Sequence, residues 1–220
     1  MTKQIAIIDP YVVSPAIPCF NRLVELLGLP CTYHIPSQSG LNTIHEVSNN
    51  TSAYIILGSA SHVHEKLPWH FPLANFMVDE LKKGKPVLGC CFGHQLLCHA
   101  FGAEVDYWSK SEIKITGLRK MRMTQSFGEL ASGEELNLGV THKQVVRNLP
   151  LDLLSIGEGL ENDIVIHKDL PFMGTQGHPE CSQSFCLTDI QNLTHDEIQL
   201  AQEGGAKLIK AFFKKFGLLN

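Results

Sequence analysis

Short, continuous apolar runs alternate with amphipathic stretches along the first half of the chain. The apolar runs are residues 4–9, 31–35 and 53–57. Runs without polar alternation are typical of parallel strands that are buried on both faces of a sheet. Residues 17–27 and 68–83 instead carry apolar side chains at helical spacing, and a glycine follows each stretch closely. This order predicts a parallel sheet with helices on both faces.

The pattern changes between residues 103 and 176, where short runs alternate apolar and polar positions. Such runs predict a smaller antiparallel or mixed sheet appended to the first. Residues 195–216 return to helical spacing, and Thr194 with Glu197 forms a capping-box signal at their start. Because no repeat or low-complexity linker interrupts the chain, we expect a single α/β domain over residues 1–220. Its sheet should be mostly parallel and flanked by helices.

Composition and charge exclude several classes of function. The chain has 220 residues and a net charge of −4, which gives no electrostatic basis for binding nucleic acid or an anionic membrane. No apolar run approaches the roughly 20 residues of a membrane-spanning helix, and the first residues do not resemble a signal peptide. The seven cysteines follow no repeating spacing. We therefore expect a cytoplasmic protein with reduced cysteines.

Residues 89–95, with the sequence GCCFGHQ, predict a reactive cysteine. An apolar run leads into this segment and a helical pattern leads out of it. A strand that stops at Cys91 and turns at once into a helix exposes the sulfur at a sharp bend. Free N–H groups at the helix start favour the thiolate, which is the attacking form. Cys90, as the last strand residue, should pack in the core.

The other cysteines and histidines of this segment do not indicate a metal site. The candidates are Cys90, Cys91, His94, Cys98 and His99. Their spacing differs from the paired units of structural zinc sites, so we expect no metal.

A cysteine nucleophile needs a base, a group that orients the base, and donors for the oxyanion. Among eleven histidines, His178 stands out because it follows a predicted strand, residues 171–176, and begins a His-Pro-Glu sequence. Pro179 fixes the local backbone, so that the Glu180 carboxylate could reach the His178 ring. That contact would hold the imidazole in the useful tautomer and stabilise the imidazolium.

Two motifs in this order are similar to those of the class I glutamine amidotransferases. The motif residues are Gly89, Cys91, Gly93 and Gln95, followed some 85 residues later by His178, Pro179 and Glu180. The similarity covers roughly residues 5–190. It implies a flavodoxin-like class I glutaminase architecture and a Cys91-His178-Glu180 triad. This triad would hydrolyse the γ-amide of glutamine to glutamate and ammonia through a γ-glutamyl thioester, without a cofactor.

The resemblance also implies substrate and oxyanion contacts. Backbone N–H groups of Phe92 and of the loop at Gly58 and Ser59 would hold the oxyanion. Gln95 would help to bind the substrate. Both the loop and Cys91 follow predicted parallel strands, and the carboxyl ends of such strands meet at one edge of the sheet.

Some positions depart from the family pattern and leave alternatives open. Gly177 stands where many members have an aromatic residue, and Gln144 stands where many have an acid. The motifs are also similar to those of stand-alone γ-glutamyl peptidases. The chain is therefore either the glutaminase component of an amidotransferase, with a separate synthetase as partner, or a hydrolase of small γ-glutamyl compounds. A catalytically silent relative is the third possibility, against which the intact triad argues. The sequence does not indicate an oligomeric state.

Overall fold

The computed structural model describes residues 4–220 as an α/β structure. Its strands are β1 (Gln4–Ile8), β2 (Cys31–His34), β3 (Thr51–Ile56), β4 (Val87–Cys90), β5 (Glu104–Tyr107), β6 (Ile115–Met123), β7 (Glu135–His142), β8 (Gln144–Arg147), β9 (Leu153–Glu158), β10 (Asn162–His167) and β11 (Phe172–Thr175). Its helices are α1 (Ile17–Leu27), α2 (Pro36–Ser39), α3 (Asn42–Val47), α4 (His70–Lys82), α5 (Phe92–Ala100), α6 (Gln183–Thr188) and α7 (His195–Lys215). Two short 3-10 turns cover Ser48–Asn50 and Val63–Glu65.

One large mixed sheet contains most of the strands, in the order β2-β1-β3-β4-β11-β10-β9-β6-β7. The strands from β2 to β11 pair in parallel, and those from β11 to β7 pair antiparallel. The small second sheet is the antiparallel pair of β5 and β8. The predicted fold class is confirmed. Most strands between residues 103 and 176 extend the main sheet, because β11 pairs with β4 on one side and β10 on the other.

Helices cover both faces of the sheet, as the continuous apolar runs predict. Along β1, Ile5 and Ile7 point to the face covered by α1 and α7, whereas Ala6 and Ile8 point to the face covered by α4 and α5. All four side chains are fully buried. Complete burial of one isoleucine side chain stabilises the fold by about 1.5–3 kcal/mol.

The helix boundaries follow local chemistry. α1 ends at Gly28, whose left-handed φ of 60° lets its N–H donate to the Val24 carbonyl. α7 begins with the predicted capping box at Thr194 and Glu197. α4 begins two residues after its predicted start, because His70 N–H closes a turn onto the Leu67 carbonyl, at 2.9 Å. α2, α3 and α6 span only four to six residues, too few for a periodic sequence signal.

The parallel half of the sheet places four chain segments at one edge. β1, β3, β4 and β11 all end there; Asp9, Cys91 and Gln176 directly follow β1, β4 and β11, and Gly58 follows β3 after one further residue. Within residues 4–220, no helix is long and apolar enough to cross a lipid bilayer.

Candidate active site

Cys91 sits in a tight connection between β4 and α5. Its φ of 47° and ψ of −99° are strained for a residue with a side chain. The Cys91 N–H donates to the Thr175 carbonyl at 2.8 Å, which ties the connection to the end of β11. The structure therefore contains the predicted strand-to-helix bend. Cys91 is only 4% exposed, so the expectation of an exposed sulfur is wrong; the residue is nearly buried and lines a cavity.

The two glycines that flank this bend are required by close backbone approach. A Cβ on Gly89 would lie 2.7 Å from the carbonyl group of Gly93, and a Cβ on Gly93 would lie 2.6 Å from the Ile56 oxygen. Real Cβ atoms essentially never approach this closely. The two glycines at this spacing thus allow the start of α5 to pack directly against β3 and β4.

His178 and Glu180 form a buried pair beside Cys91. Their Nδ1 and Oε1 atoms lie 2.9 Å apart, and both residues are almost fully buried. A Cβ added to Gly58 would lie 2.4 Å from Cε1 of His178 and 3.4 Å from Cβ of Cys91. The imidazole and the cysteine therefore both lie against Gly58, the second residue after β3. The three residues predicted as a triad, and the predicted neighbour Gly58, come together in space.

The electrostatics of this group favour a protonated imidazole. Burial opposes the charge on His178, but the Cys91 thiolate and the Glu180 carboxylate outweigh it and raise the pKa of His178 well above its ordinary value. Cys90 is fully buried, and burial together with the nearby Glu180 carboxylate raises the pKa of its thiol well above the ordinary value. Cys90 is therefore held as a neutral thiol in the core, where the sequence predicted it to pack.

The oxyanion candidates lie around the same point. Phe92 is the first residue of α5, so its N–H has no partner within the helix. Gly58 and Ser59 line the cavity that contains Cys91. The Ser59 hydroxyl donates to the Pro10 carbonyl at 2.6 Å and accepts from the Ser61 N–H at 3.0 Å, which holds this loop in place. Their roles as oxyanion donors remain a prediction.

A chain of amide groups connects Gln95 to the sulfur. Gln95 Nε2 donates to the Gln144 carbonyl at 2.9 Å and to Oε1 of Gln176 at 3.1 Å. Gln176 Nε2 then donates to Cys91 Sγ at 3.6 Å. Sequence reasoning missed Gln176. Its position as the last residue of a predicted strand, two residues before His178, is the signal that could have found it.

The cavity above Cys91 has a volume of about 360 Å³ and a mixed polar and apolar wall. Its lining includes His142 and Gln144. Within residues 4–220, the His142 Nε2 atom and both polar side-chain atoms of Gln144 are buried without a hydrogen-bond partner. His142 is neutral, because burial lowers its pKa to about 4. Two residues of the cavity wall thus carry polar atoms that are buried without a partner.

An open, largely apolar groove of about 830 Å³ adjoins this cavity. Tyr11 and Val12 line both of them. The other walls of the groove include Leu41, Leu67 and Trp69. The Trp69 ring packs in turn on the ring of Phe92, with centroids 5.6 Å apart, so the groove lies close to the nucleophile's helix.

His94 and Cys98, which follow Cys91 on α5, are packed in the protein interior. His94 is fully buried, its Nδ1 lies 3.5 Å from the Cys98 sulfur, and burial lowers its pKa to about 4. Across the part of the chain that the structure describes, no three His, Cys, Asp or Glu side chains are grouped as metal ligands would be.

The structure gives a steric reason for the departure from the family pattern at Gly177. A Cβ at this position would lie 2.8 Å from Cβ and 2.9 Å from Cδ1 of Leu138 on β7. A larger residue at 177 therefore needs a smaller partner on that strand.

Comparison with known proteins places these features in a family. The model of the family "Glutamine amidotransferase class-I" matches residues 21–187. The chain is 26% identical to a glutamine-hydrolyzing GMP synthase subunit of Methanococcus aeolicus over 202 residues, which cover 91% of this chain and 92% of that protein. A shorter match, 30% identical, relates 45% of this chain to 53% of the corresponding GMP synthase subunit of Methanocaldococcus jannaschii.

The fold has close counterparts among solved structures. A glutamine amidotransferase of Methylobacillus flagellatus superposes with a TM-score of 0.77 at 18% identity, covering 98% of this chain and 96% of that one. A glutamine amidotransferase of Thermotoga maritima superposes with a TM-score of 0.73, also at 18% identity, covering 98% of both chains. At this identity the likeness establishes the fold.

Proposed function

The chain belongs to the class I glutamine amidotransferase family and is an enzyme of that type, and from this premise we propose that it hydrolyses the γ-amide of glutamine through a thioester on Cys91. One observation carries the proposal. The buried His178–Glu180 pair, joined at 2.9 Å, lies against the same Gly58 backbone as the strained Cys91. This arrangement brings together a nucleophile, a base and a group that orients the base.

In the first half of the proposed reaction, the Cys91 thiolate attacks the γ-carbonyl carbon. The oxyanion accepts hydrogen bonds from the backbone N–H groups of Phe92 and of the Gly58–Ser59 loop. Each such donor lowers the barrier by about 2.7–4 kcal/mol. The His178 imidazolium gives its proton to the departing nitrogen, the C–N bond breaks, and ammonia leaves a γ-glutamyl thioester behind.

In the second half, a water molecule attacks the thioester. His178 accepts a proton from this water, the C–S bond breaks, and the electron pair returns to sulfur as a thiolate. Glutamate is released. Glu180 stabilises the imidazolium in both halves, because its carboxylate raises the pKa of His178.

The ammonia would be consumed by a separate synthetase subunit. The support is the Methanococcus aeolicus relative, which is named as one subunit of a GMP synthase and is covered almost completely by this chain. We further propose that residues 1–220 act as one domain in the cytoplasm. The seven cysteines are all free thiols in the structure, as a reducing compartment requires.

A stand-alone γ-glutamyl peptidase is the second candidate, and the groove beside the cavity favours it. Ammonia needs no room beyond the cavity, whereas the amine part of a γ-glutamyl peptide does. The groove of about 830 Å³ provides such space, and it shares Tyr11 and Val12 with the cavity.

One assay distinguishes these functions. The purified chain is incubated with glutamine and, separately, with γ-glutamyl dipeptides, while ammonia, glutamate and free amine are measured. Glutamine hydrolysis that increases when a synthetase subunit is added supports the amidotransferase. Peptide cleavage without glutaminase activity supports the peptidase and refutes the first proposal. No turnover of either substrate, together with a Cys91 that resists alkylation, supports a catalytically silent binding protein.

A further inference from the structure

The sulfur of Cys91 has a side-chain donor beside it whose orientation is fixed by neighbouring groups. A backbone carbonyl can only accept, so the amide of Gln95 must present Nε2 to the Gln144 oxygen, 2.9 Å away. The same Nε2 has a second hydrogen, which meets Oε1 of Gln176 at 3.1 Å. Gln176 must then present its own Nε2 to Cys91 Sγ, at 3.6 Å.

The position of Gln176 is also rigid. The residue is 1% exposed, and its backbone N–H donates to the Asp163 carbonyl at 2.8 Å. On another side of the sulfur, the Thr141 carbonyl lies 3.9 Å away and can only accept. A neutral thiol can donate to that oxygen and accept from Gln176. A thiolate keeps only the bond from Gln176, which becomes charge-assisted and therefore stronger.

We propose that Gln176 is a further catalytic residue, which donates a hydrogen bond to the Cys91 sulfur, and that Gln95 is the residue that positions it. The consequence for turnover rests on the thioester mechanism of the proposed function. When the thiolate attacks the carbonyl, the sulfur loses its charge. When water hydrolyses the thioester, the C–S bond breaks and the sulfur regains the electron pair. A donor to sulfur therefore lowers the barrier to deacylation in particular.

The test of the donor uses iodoacetamide, which reacts with thiolates, and needs no substrate. The rate of Cys91 alkylation is measured against pH for the wild-type chain and for Gln176→Met, with Cys91→Ala giving the background from other cysteines. Methionine is similar in length to glutamine but has no N–H donor. Because a hydrogen bond to the charged sulfur favours the thiolate over the thiol, the pH midpoint of alkylation should rise by about one unit.

Two further variants make the test specific. Gln95→Met leaves Gln176 in place but removes the donor that orients its amide, so a smaller rise of the midpoint is expected. Gln202→Met is the matched control, since it removes an amide that donates to the Cys181 carbonyl instead of to a sulfur; its midpoint should not move. Circular dichroism establishes that each variant is folded.

An unchanged midpoint in folded Gln176→Met overturns the proposal. If that variant does not fold, an unchanged midpoint in Gln95→Met overturns it. Turnover gives a second readout: kcat of Gln176→Met should fall about tenfold and KM should fall with it, because acyl-enzyme accumulates. If the wild-type chain hydrolyses neither glutamine nor γ-glutamyl peptides, the proposed function fails, but the alkylation profile still tests the hydrogen bond.

Discussion

Replacing Gly58 with alanine tests whether the placement of the His178 ring controls the chemistry. The new Cβ would lie 2.4 Å from Cε1 and 3.1 Å from Nδ1 of His178. Ordinary van der Waals contact begins near 3.4 Å, so the ring must move by about 1 Å. The Gly58 N–H, a candidate oxyanion donor, is retained. The main perturbation is therefore to the imidazole and to its 2.9 Å contact with Glu180.

A misplacement of about 1 Å in a catalytic group costs on the order of 100-fold in rate. We expect kcat of Gly58→Ala, measured as glutamate release, to fall by at least that factor while the variant stays folded. Gly157→Ala is the matched control. Its Cβ would lie 2.8 Å from Cβ of Ile164, between β9 and β10 and outside the candidate site. That overpacking should cost about 1–3 kcal/mol of unfolding free energy without changing kcat of the folded enzyme.

The decisive comparison is between activity and stability in the two variants. A Gly58→Ala variant with kcat within about threefold of the wild-type value would show that the position of His178 does not govern turnover. A parallel loss of kcat in Gly157→Ala would show that general strain in the fold, and not the imidazole, is responsible.

Three more changes have expected outcomes. Cys91→Ser should abolish turnover and leave the thermal unfolding curve unchanged. In the wild-type chain, mass spectrometry should find iodoacetamide on Cys91 long before it finds it on Cys90, because burial raises the pKa of the Cys90 thiol. Early labelling of Cys90 would contradict this order of reactivity. His94, with a pKa lowered to about 4, stays neutral while the unfolded chain takes up a proton, so the unfolding free energy should fall by up to about 3 kcal/mol between pH 6.5 and 4. In His94→Gln this contribution to the pH dependence of the unfolding free energy should disappear. An unchanged pH dependence, measured by urea titrations, would show that His94 is not its source. Gly177→Ala should lose about 1–3 kcal/mol of unfolding free energy, and the loss should shrink in a Leu138→Ala background because the clash is relieved; additive losses in the double mutant would exclude the contact.

The parts of the fold that depend on local sequence were predictable. α1 and α7 have continuous helical spacing with a glycine stop or a capping box, and both agree with the prediction to within one residue. The extent of the main sheet was not predictable. It depends on β11 pairing with both β4 and β10, and β4 lies far from β11 in sequence; alternation within a strand does not specify its neighbours.

The candidate site likewise has residues that were predictable from the sequence and residues that were not. Cys91, His178 and Glu180 stand in short motifs whose chemistry is visible in the residue order. Gln176 was missed, because a buried glutamine is an ordinary residue until the structure shows which atoms its amide meets. The sequence alone does not explain why Gly177 departs from the family pattern. The explanation is steric, because a Cβ at this position would meet Leu138 from another part of the sheet.

The pairing of β4 with β11 also determines when the enzyme can first become active. In this register Cys90 lies opposite Thr175, and the contacting residues are separated by about 85 positions in sequence. Pairings between such distant segments form late in folding, because closing the intervening loop costs entropy before any contact compensates for it. A chain still emerging from the ribosome would hold the complete GCCFGHQ segment yet lack the imidazole, the carboxylate and the Gln176 amide. The complete triad should therefore assemble only once β11 has docked, which protects the nascent chain from premature catalysis at its own nucleophile.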